Sequence, residues 1–361
     1  MTRPSAYPDL SDDRPVLVTG GAGFIGSNLV DRLAREGQHV HIYDCLARAG
    51  VERNLAWLQA RHPGAVHFTR ADMREREALT AAAKGAKAVF HLAAQVAVTT
   101  SLIDPREDFL VNVQGTFDLV DALRSNPVPL IMASTNKVYG DLADVALEIS
   151  GEQYLPRDAT LRARGVDETR SLDFHTPYGC SKGAADQYVL DASRSFGIPS
   201  GVLRMSCIYG PRQMGTEDQG WVAHFVLRAL SGQPITIYGD GRQVRDIMCV
   251  HDAVDAYLAL WAQISHVQGR AFNLGGGPSN AVSLIQLLDH IESLIGKRIV
   301  LRHDEWRAGD QRYFVSDTSR VRRELALRTP IGWREGVAEL TRWLMKDRAP
   351  RRGAAGAEVL S

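Results

Sequence analysis

Apolar residues in this chain fall into short uninterrupted runs separated by stretches with helical spacing. Pro15–Thr19 (PVLVT), His39–Tyr43 (HVHIY), Ala88–Leu92 (AVFHL), Leu130–Ala133 (LIMA) and Ser200–Met205 (SGVLRM) read as buried strands. Ser27–Glu36, Pro105–Arg124 and Ser181–Arg194 carry apolar positions at helical intervals between them. Strands and helices in alternation predict an α/β protein, with a doubly wound parallel sheet covered on both faces. Beyond Gly210 the pattern is mixed: a helix near Trp221–Ser231, and strands near Ile235–Tyr238 and Ala271–Leu274. That part reads as a smaller mixed α/β region completing a substrate cleft. The expected division is a disordered tail over 1–13, a sheet domain over 14–206 plus about 247–272, the smaller region over about 207–246 and 273–346, and a disordered tail over 347–361.

Composition narrows the function. The 361 residues include 42 basic and 42 acidic side chains, for a formal charge of zero. Neutrality argues against a general nucleic-acid binder and against charge-driven membrane attachment. No run approaches the roughly 18 apolar residues of a membrane span. Met1–Asp13 is polar, without the apolar centre of a signal peptide, so a soluble cytoplasmic protein is expected. Cys45, Cys180, Cys207 and Cys249 show no metal-type spacing and read as reduced thiols, so no metal is predicted.

The first strand runs into Gly20-Gly21-Ala22-Gly23-Phe24-Ile25-Gly26. Glycines here allow a tight turn and let a pyrophosphate approach the backbone; the following helix start offers N–H groups to it. Asp44 ends the next strand, 18 residues past Gly26, where a carboxylate accepts both adenosine ribose hydroxyls. It would repel a 2′-phosphate, so NAD is favoured over NADP; Arg48, close by, keeps the alternative open. The setting is that of a Rossmann fold. Asp72 and Met73 follow a third strand-like stretch and can hold the adenine edge, although Asp72 suits a helix cap equally well. Leu92, Ala93, Ala94 and Gln95 end a strand with small residues, so backbone can pass close to the cofactor. Asn112 is either a further cofactor contact or a buried structural amide.

The candidate chemistry lies at Tyr178 and Lys182. Four residues apart on a helix, they share a face. An ammonium beside a phenol favours the phenolate and is expected to lower its pKa from about 10. Such a tyrosine can take a proton from a sugar hydroxyl while hydride leaves the carbon. Ser134 and Thr135 close the Leu130–Ala133 strand, where a hydroxyl can bond the substrate oxygen.

Thr19–Gly26, His91–Gln95, Ser134–Gly140 (STNKVYG), Tyr178–Lys182 and Gln243–Asp246 (QVRD) resemble the extended short-chain dehydrogenase/reductase group, the NAD-dependent epimerase/dehydratase family. The resemblance spans about residues 15–346. Ser134–Leu142, Leu172–Asp191, Tyr209–Gln213, Asp218–Val222 and Gly309–Asp317 are most similar to its CDP-paratose (CDP-tyvelose) 2-epimerase branch. The resemblance implies catalytic roles for Thr135, Tyr178, Lys182 and Asn136. It places NAD on Gly20, Gly23, Phe24, Ile25, Gly26, Asp44, Asp72, Met73, Leu92, Ala93, Ala94, Gln95, Asn112, Ser134, Tyr178 and Lys182. Substrate contacts fall on Thr100, Ser206, Cys207, Gln219, Trp221, Arg245, Arg307 and Asp310, with the two arginines clamping the diphosphate. Ala94 and Pro211 depart from the group's usual glycines.

The group's 4,6-dehydratases carry Asp-Glu directly after the catalytic threonine. Asn136 and Lys137 stand there in this chain, and neither supplies a carboxylate for water loss. Hydride transfer without water loss therefore remains, and the resemblance implies transient oxidation at C2 of a nucleotide-linked hexose, CDP-linked by preference, followed by hydride return to the other face. A 4-epimerase or reductase of the same group is the alternative enzyme. A dinucleotide-sensing protein is the non-catalytic alternative. The group's usual homodimer, through the helices around 105–124 and 181–194, is expected as well.

Overall fold

The computed structural model describes residues 12–307 and 309–348. Seven parallel strands form the main sheet in the order Arg270–Leu274, Ser200–Met205, Leu130–Thr135, Ala88–His91, Val16–Thr19, Val40–Asp44, Val66–Arg70. Chain order reverses between Val16–Thr19 and Ala88–His91, which opens a crevice at their carboxyl ends, the usual ligand position of a Rossmann α/β sheet.

Alternate side chains of each strand go to opposite faces. Val16, Val18, Ile42, Phe90, Ile131 and Leu203 pack under the helices Phe24–Arg35, Val51–Arg61 and Val250–Ala262. Leu17, Val89, Leu130, Met132 and Val202 pack on the other side with Leu79, Leu119, Leu123 and Val189. Phe90 meets Trp261 edge to face at 5.7 Å and 87°. Both faces are thus dry, which is why the strands read as apolar runs rather than alternating ones.

Three features differ from the sequence-based expectation. Arg270–Leu274 belongs to the main sheet as its edge strand beside Ser200–Met205, not to the smaller region. The expected Pro105–Arg124 helix is divided into Pro105–Phe109, a wider π-helical turn Leu110–Gln114, and Gly115–Leu123. The helix bearing Tyr178 starts earlier and ends later than its apolar spacing indicated, at Thr176–Phe196.

The smaller region centres on Val244–Cys249, which pairs with Ala281–Ser283, Tyr313–Phe314 and Cys207–Tyr209. Its own core gathers Tyr209, Phe225, Ile235, Ile247, Leu287, Ile291, Trp333 and Val337. The expected tails lie mostly outside the described residues. Where described, they are tied down: Lys87 Nζ donates to Asp12 O at 2.6 Å, and Asp347, within the helix Trp333–Arg348, pairs with Arg53 at 2.8 Å. Among the described residues no helix is long and apolar enough to cross a membrane.

Candidate active site

The crevice holds the glycine loop. A Cβ on Gly20, whose φ is 70°, would stand 2.7 Å from the Ala93 nitrogen, and one on Gly26 would stand 2.2 Å from the Gly20 carbonyl oxygen. The loop therefore lies directly against the end of the Ala88–His91 strand, and side chains there are sterically barred. Gly23 caps the helix Phe24–Arg35 without a side-chain bond. The first-turn N–H groups at Phe24, Ile25 and Gly26 accordingly face outward for an anion. Asp44 accepts the N–H of Ala22 at 3.0 Å through Oδ2 and that of Leu46 at 2.8 Å through Oδ1. Each oxygen retains capacity for a second donor, such as a ribose hydroxyl. A side-chain-free cradle, an uncapped helix start and a carboxylate one strand away fit a dinucleotide.

Several neighbours sit differently from expectation. Arg48 does not meet Asp44; it donates to Gln219 Oε1. A Cβ on Gly50 would stand 2.9 Å from Met214 Cγ, so the segment around 213–220 leans on the 45–50 loop. Gln219, expected at the substrate's nucleotide, is held there against Arg48. Asp72 is paired with Arg74 at 2.7 Å, and the buried Met73 packs on Gly115. Leu92, Ala93 and Ala94 are half-buried along the crevice. Gln95 closes its side chain on the Ala97 backbone at 2.6 and 2.9 Å. Asn112 accepts the Gln95 N–H at 2.8 Å and donates to Gln95 O, Asp108 Oδ1 and Ser181 Oγ. These bonds tie Asn112 to the strand end, as the structural reading of this amide expects.

Thr135 and Tyr178 come together at the carboxyl end of Leu130–Thr135. The Thr135 hydroxyl bonds the Tyr178 hydroxyl and favours its ionisation. Lys182, one turn on, donates to the Ala133 carbonyl at 2.8 Å. The expected depression of the phenol does not appear in the chain alone. Burial pushes Tyr178 up to about 12, with the Asp108 carboxylate adding to the rise. Burial likewise pushes Lys182 down to about 8, opposed by Asp186 and Asp108. Ser134 donates to Asp186 Oδ2 at 2.8 Å, and Arg204 forks onto the same carboxylate at 2.9 Å through both Nε and Nη2. Ser134 is thus part of a buried support under the site. Asn136 donates to Gln311 Oε1 at 3.2 Å.

Among the residues expected to contact substrate, Ser206 Oγ lies 3.0 Å from the Asp246 carbonyl oxygen. The Cys207 thiol accepts the Trp221 indole N–H at 3.3 Å, and burial holds it protonated. Arg245 donates to Val244 O at 2.8 Å and to Asp310 Oδ1 at 2.6 Å, and also to Gln311 O. Its ion-pair partner is Asp310, 65 residues on, and not its sequence neighbour Asp246. Asp246 accepts from Ser206 and from the Gly277 N–H instead. Arg307 stacks over Tyr238 at 3.9 Å and donates to Glu217 O at 3.0 Å. Thr100 is exposed on the short helix Val98–Ile103.

Four side chains of this site escaped the sequence reading as positive contributors. Asp108 is buried beside Lys182 with Oδ2 unpartnered. Asp186 anchors Ser134 and Arg204; Gln311 ties Asn136 to the Gly140 carbonyl at 2.5 Å; Lys137 reaches Gly309 O at 3.3 Å. A polar residue inside an otherwise apolar helix face was the available signal for Asp186. Elsewhere, Cys249, His251 and Glu339 converge with their ligand-type atoms within 4.8 Å of one another. His251 Nε2 lies 3.4 Å from Glu339 Oε1, and burial pushes the Cys249 thiol up to about 12, so the thiol stays protonated beside that contact.

Comparison with known proteins follows the same outline. The model of the NAD dependent epimerase/dehydratase family matches residues 16–275. The chain is 38% identical over 337 residues to CDP-paratose 2-epimerase from Salmonella typhi, covering 91% of this chain and 98% of that relative. It is 31% identical over 326 residues to UDP-glucose 4-epimerase from Mycolicibacterium smegmatis, covering 90% and 96%. The solved structure of Thermus thermophilus UDP-glucose 4-epimerase in complex with NAD superposes with a TM-score of 0.77 at 30% identity, covering 92% of this chain and 99% of that one.

Proposed function

The chain belongs to the NAD dependent epimerase/dehydratase family, and we propose that within it the protein is a nucleotide-sugar 2-epimerase acting on a CDP-linked hexose of the paratose/tyvelose type. The observation that carries this reading is the pair after Thr135. Asn136 is buried and bonded to Gln311, and Lys137 reaches Gly309, so both are fixed at the site and neither can serve as the carboxylate acid or base of dehydration. Identity to the Salmonella 2-epimerase, higher than to the 4-epimerase above, supports the carbon and the base.

Bound NAD supplies a hydride acceptor and donor and, when oxidised, a positive charge that favours a phenolate. Tyr178 Oη takes the proton of the C2 hydroxyl as the sugar is oxidised and gives it back when the 2-ketone is reduced from its other face. Thr135 Oγ1 holds that oxygen, and Asn136 steadies the turn beside it. Lys182 adds positive charge from the Ala133 side. Arg245 and Arg307 clamp the diphosphate by charge-assisted forks, Arg245 turning from Asp310 and Arg307 from the Glu217 carbonyl.

The active form is a homodimer. Phe109, Phe117, Tyr188 and Phe196 lie 42–51% exposed on the helices Pro105–Leu123 and Thr176–Phe196, and a second copy of that face would cover them. Sedimentation should give two chains per particle, and Phe117→Glu should give one. Four free thiols suit the cytoplasm.

The test is product analysis in D2O. CDP-paratose-type and UDP-hexose substrates are incubated with the protein and followed by proton NMR, with NAD(H) per chain measured on the denatured protein. Inversion at C2 of the CDP-sugar, without deuterium at that carbon and with about one NAD(H) per chain, is expected. Inversion at C4 of a UDP-hexose, with C2 untouched, overturns the reading. Reduction that consumes added NADH would make the protein a reductase.

A further inference from the structure

Lys137 stands two residues after Thr135, and its backbone N–H donates to Thr135 Oγ1 at 3.2 Å. Its side chain runs the other way, into the smaller region. Nζ donates to Gly309 O at 3.3 Å and lies 3.9 Å from Asp310 Oδ1, which Arg245 already holds at 2.6 Å. An ammonium carries three donors, and a carboxylate at 3.9 Å contributes charge rather than a hydrogen bond. Among the described residues Gly309 O is therefore the acceptor Nζ reaches, and two donors are left over. The side chain is 22% exposed. Burial pushes Lys137 down to about 8; Asp310 opposes that and Arg245 adds to it. The ammonium faces Arg245 and Cys207, the walls of the sugar side, with Asp141 as the remaining charge near it. This is a cation with donors to spare, beside the carboxylate that Arg245 also holds.

We propose that Lys137 binds the sugar-proximal phosphate of the nucleotide sugar and so sets which carbon meets Thr135 and Tyr178. That phosphate is attached through oxygen to C1. The C2 hydroxyl is on the adjacent carbon, whereas the C4 hydroxyl is across the ring. Lys137 follows Thr135 by two residues, so a phosphate held by Nζ would fix C1 on the Thr135 side of the site and favour the adjacent carbon over the one across the ring. A carboxylate at this position would repel the phosphate, and an uncharged side chain would let the sugar slide. The role in choosing the carbon rests on the 2-epimerase reading; the phosphate contact does not.

The experiment is titration of the NAD-loaded protein with CMP, CDP, UMP and UDP, followed by calorimetry. Wild type is compared with Lys137→Met, Lys137→Gln and Lys137→Arg. The glutamine keeps a donor for Gly309 O but has no charge, so it covers the case in which the methionine variant fails to fold. Both neutral variants should lower the ratio of diphosphate to monophosphate affinity by roughly tenfold or more, with monophosphate affinity within about twofold of wild type. Arginine should restore most of the ratio. An unchanged ratio overturns the proposal. Equal weakening of mono- and diphosphate also overturns it and makes Lys137 a strut for the 309–311 loop. A ratio that falls in a protein inverting C4 would keep the phosphate contact and overturn the choice of C2, and with it the 2-epimerase reading.

Discussion

On the cofactor side of the cleft, the working parts come from consecutive β–α units and are placed by strand register: Thr19 lies beside both Tyr43 and His91. The glycine loop works there by having no side chains. On the sugar side, parts remote in sequence meet through polar bonds. Asn136 bonds Gln311, 175 residues on, and Arg245 bonds Asp310, 65 residues on. The first arrangement fails when atoms are added. The second fails when a partner is removed and a buried polar group is left unpaired. A site that must grip one cofactor and yet distinguish sugars gains from the division, because the sugar side can change residue by residue while the sheet keeps its register.

The largest test separates chemistry from both. Tyr178→Phe should reduce turnover by about 10²–10⁴. NAD content and the unfolding midpoint should hardly move, since the lost hydroxyl bonds Thr135 and supports no backbone. NAD lost together with turnover would show that the two sides are not separable at Tyr178.

Next comes the support beneath them. Arg204, 5% exposed in the Ser200–Met205 strand, forks onto Asp186 and also donates to Tyr139 Oη at 3.1 Å. Arg204→Met strands a buried carboxylate and should cost about 3–5 kcal/mol in urea unfolding. Adding Asp186→Leu should recover much of that. If the single and double variants are equally stable, Asp186 is not the group left unpaired.

The seam itself is weaker. Gln311→Leu leaves the Asn136 amide and the Gly140 carbonyl without their partner, at about 1–3 kcal/mol. The comparison requires that KM for the nucleotide sugar rise while NAD content stays constant. A fall in NAD content would place Gln311 on the cofactor side.

The same division explains what was legible in the sequence. Strands buried on both faces announce themselves as apolar runs, and Gly20–Gly26, Asp44, Tyr178 and Lys182 lie in short motifs within that repeat. Arg270–Leu274 did not declare its place beside Ser200–Met205, because the intervening 64 residues, from 206 to 269, build much of another region. The π-helical turn was hidden because one extra residue per turn hardly disturbs helical spacing over a single turn. Asp186 and Gln311 gain their meaning from Ser134 and Asn136, 52 and 175 residues away, and no local pattern joins them. Arg48 kept NADP open in the sequence, and in the fold its guanidinium is turned toward Gln219.

His91 is the exception on the cofactor side, a buried polar residue whose place depends on paired bonds. Thr116 gives its hydroxyl proton to Asn112 O at 2.6 Å, so toward His91 Nε2, at 2.9 Å, it can only accept. Nε2 therefore carries the hydrogen, and Nδ1 accepts from Thr19 Oγ1 at 2.8 Å. The ring is neutral and fully used. Burial, with the Lys182 charge adding to it, pushes its pKa down to about 3 from 6.5. Below pH 6.5 the unfolded chain binds a proton at this residue that the folded chain refuses, so stability falls with pH until about 3. At pH 5.5 His91 should have cost about 1.4 kcal/mol relative to pH 7.5 and above. His91→Gln removes this titration, so the drop between pH 7.5 and 5.5 in urea unfolding should shrink by about that amount. An equal drop in both proteins would mean that His91 takes up a proton in the fold, and that the strand end beside the glycine loop tolerates a charge its bonding pattern forbids.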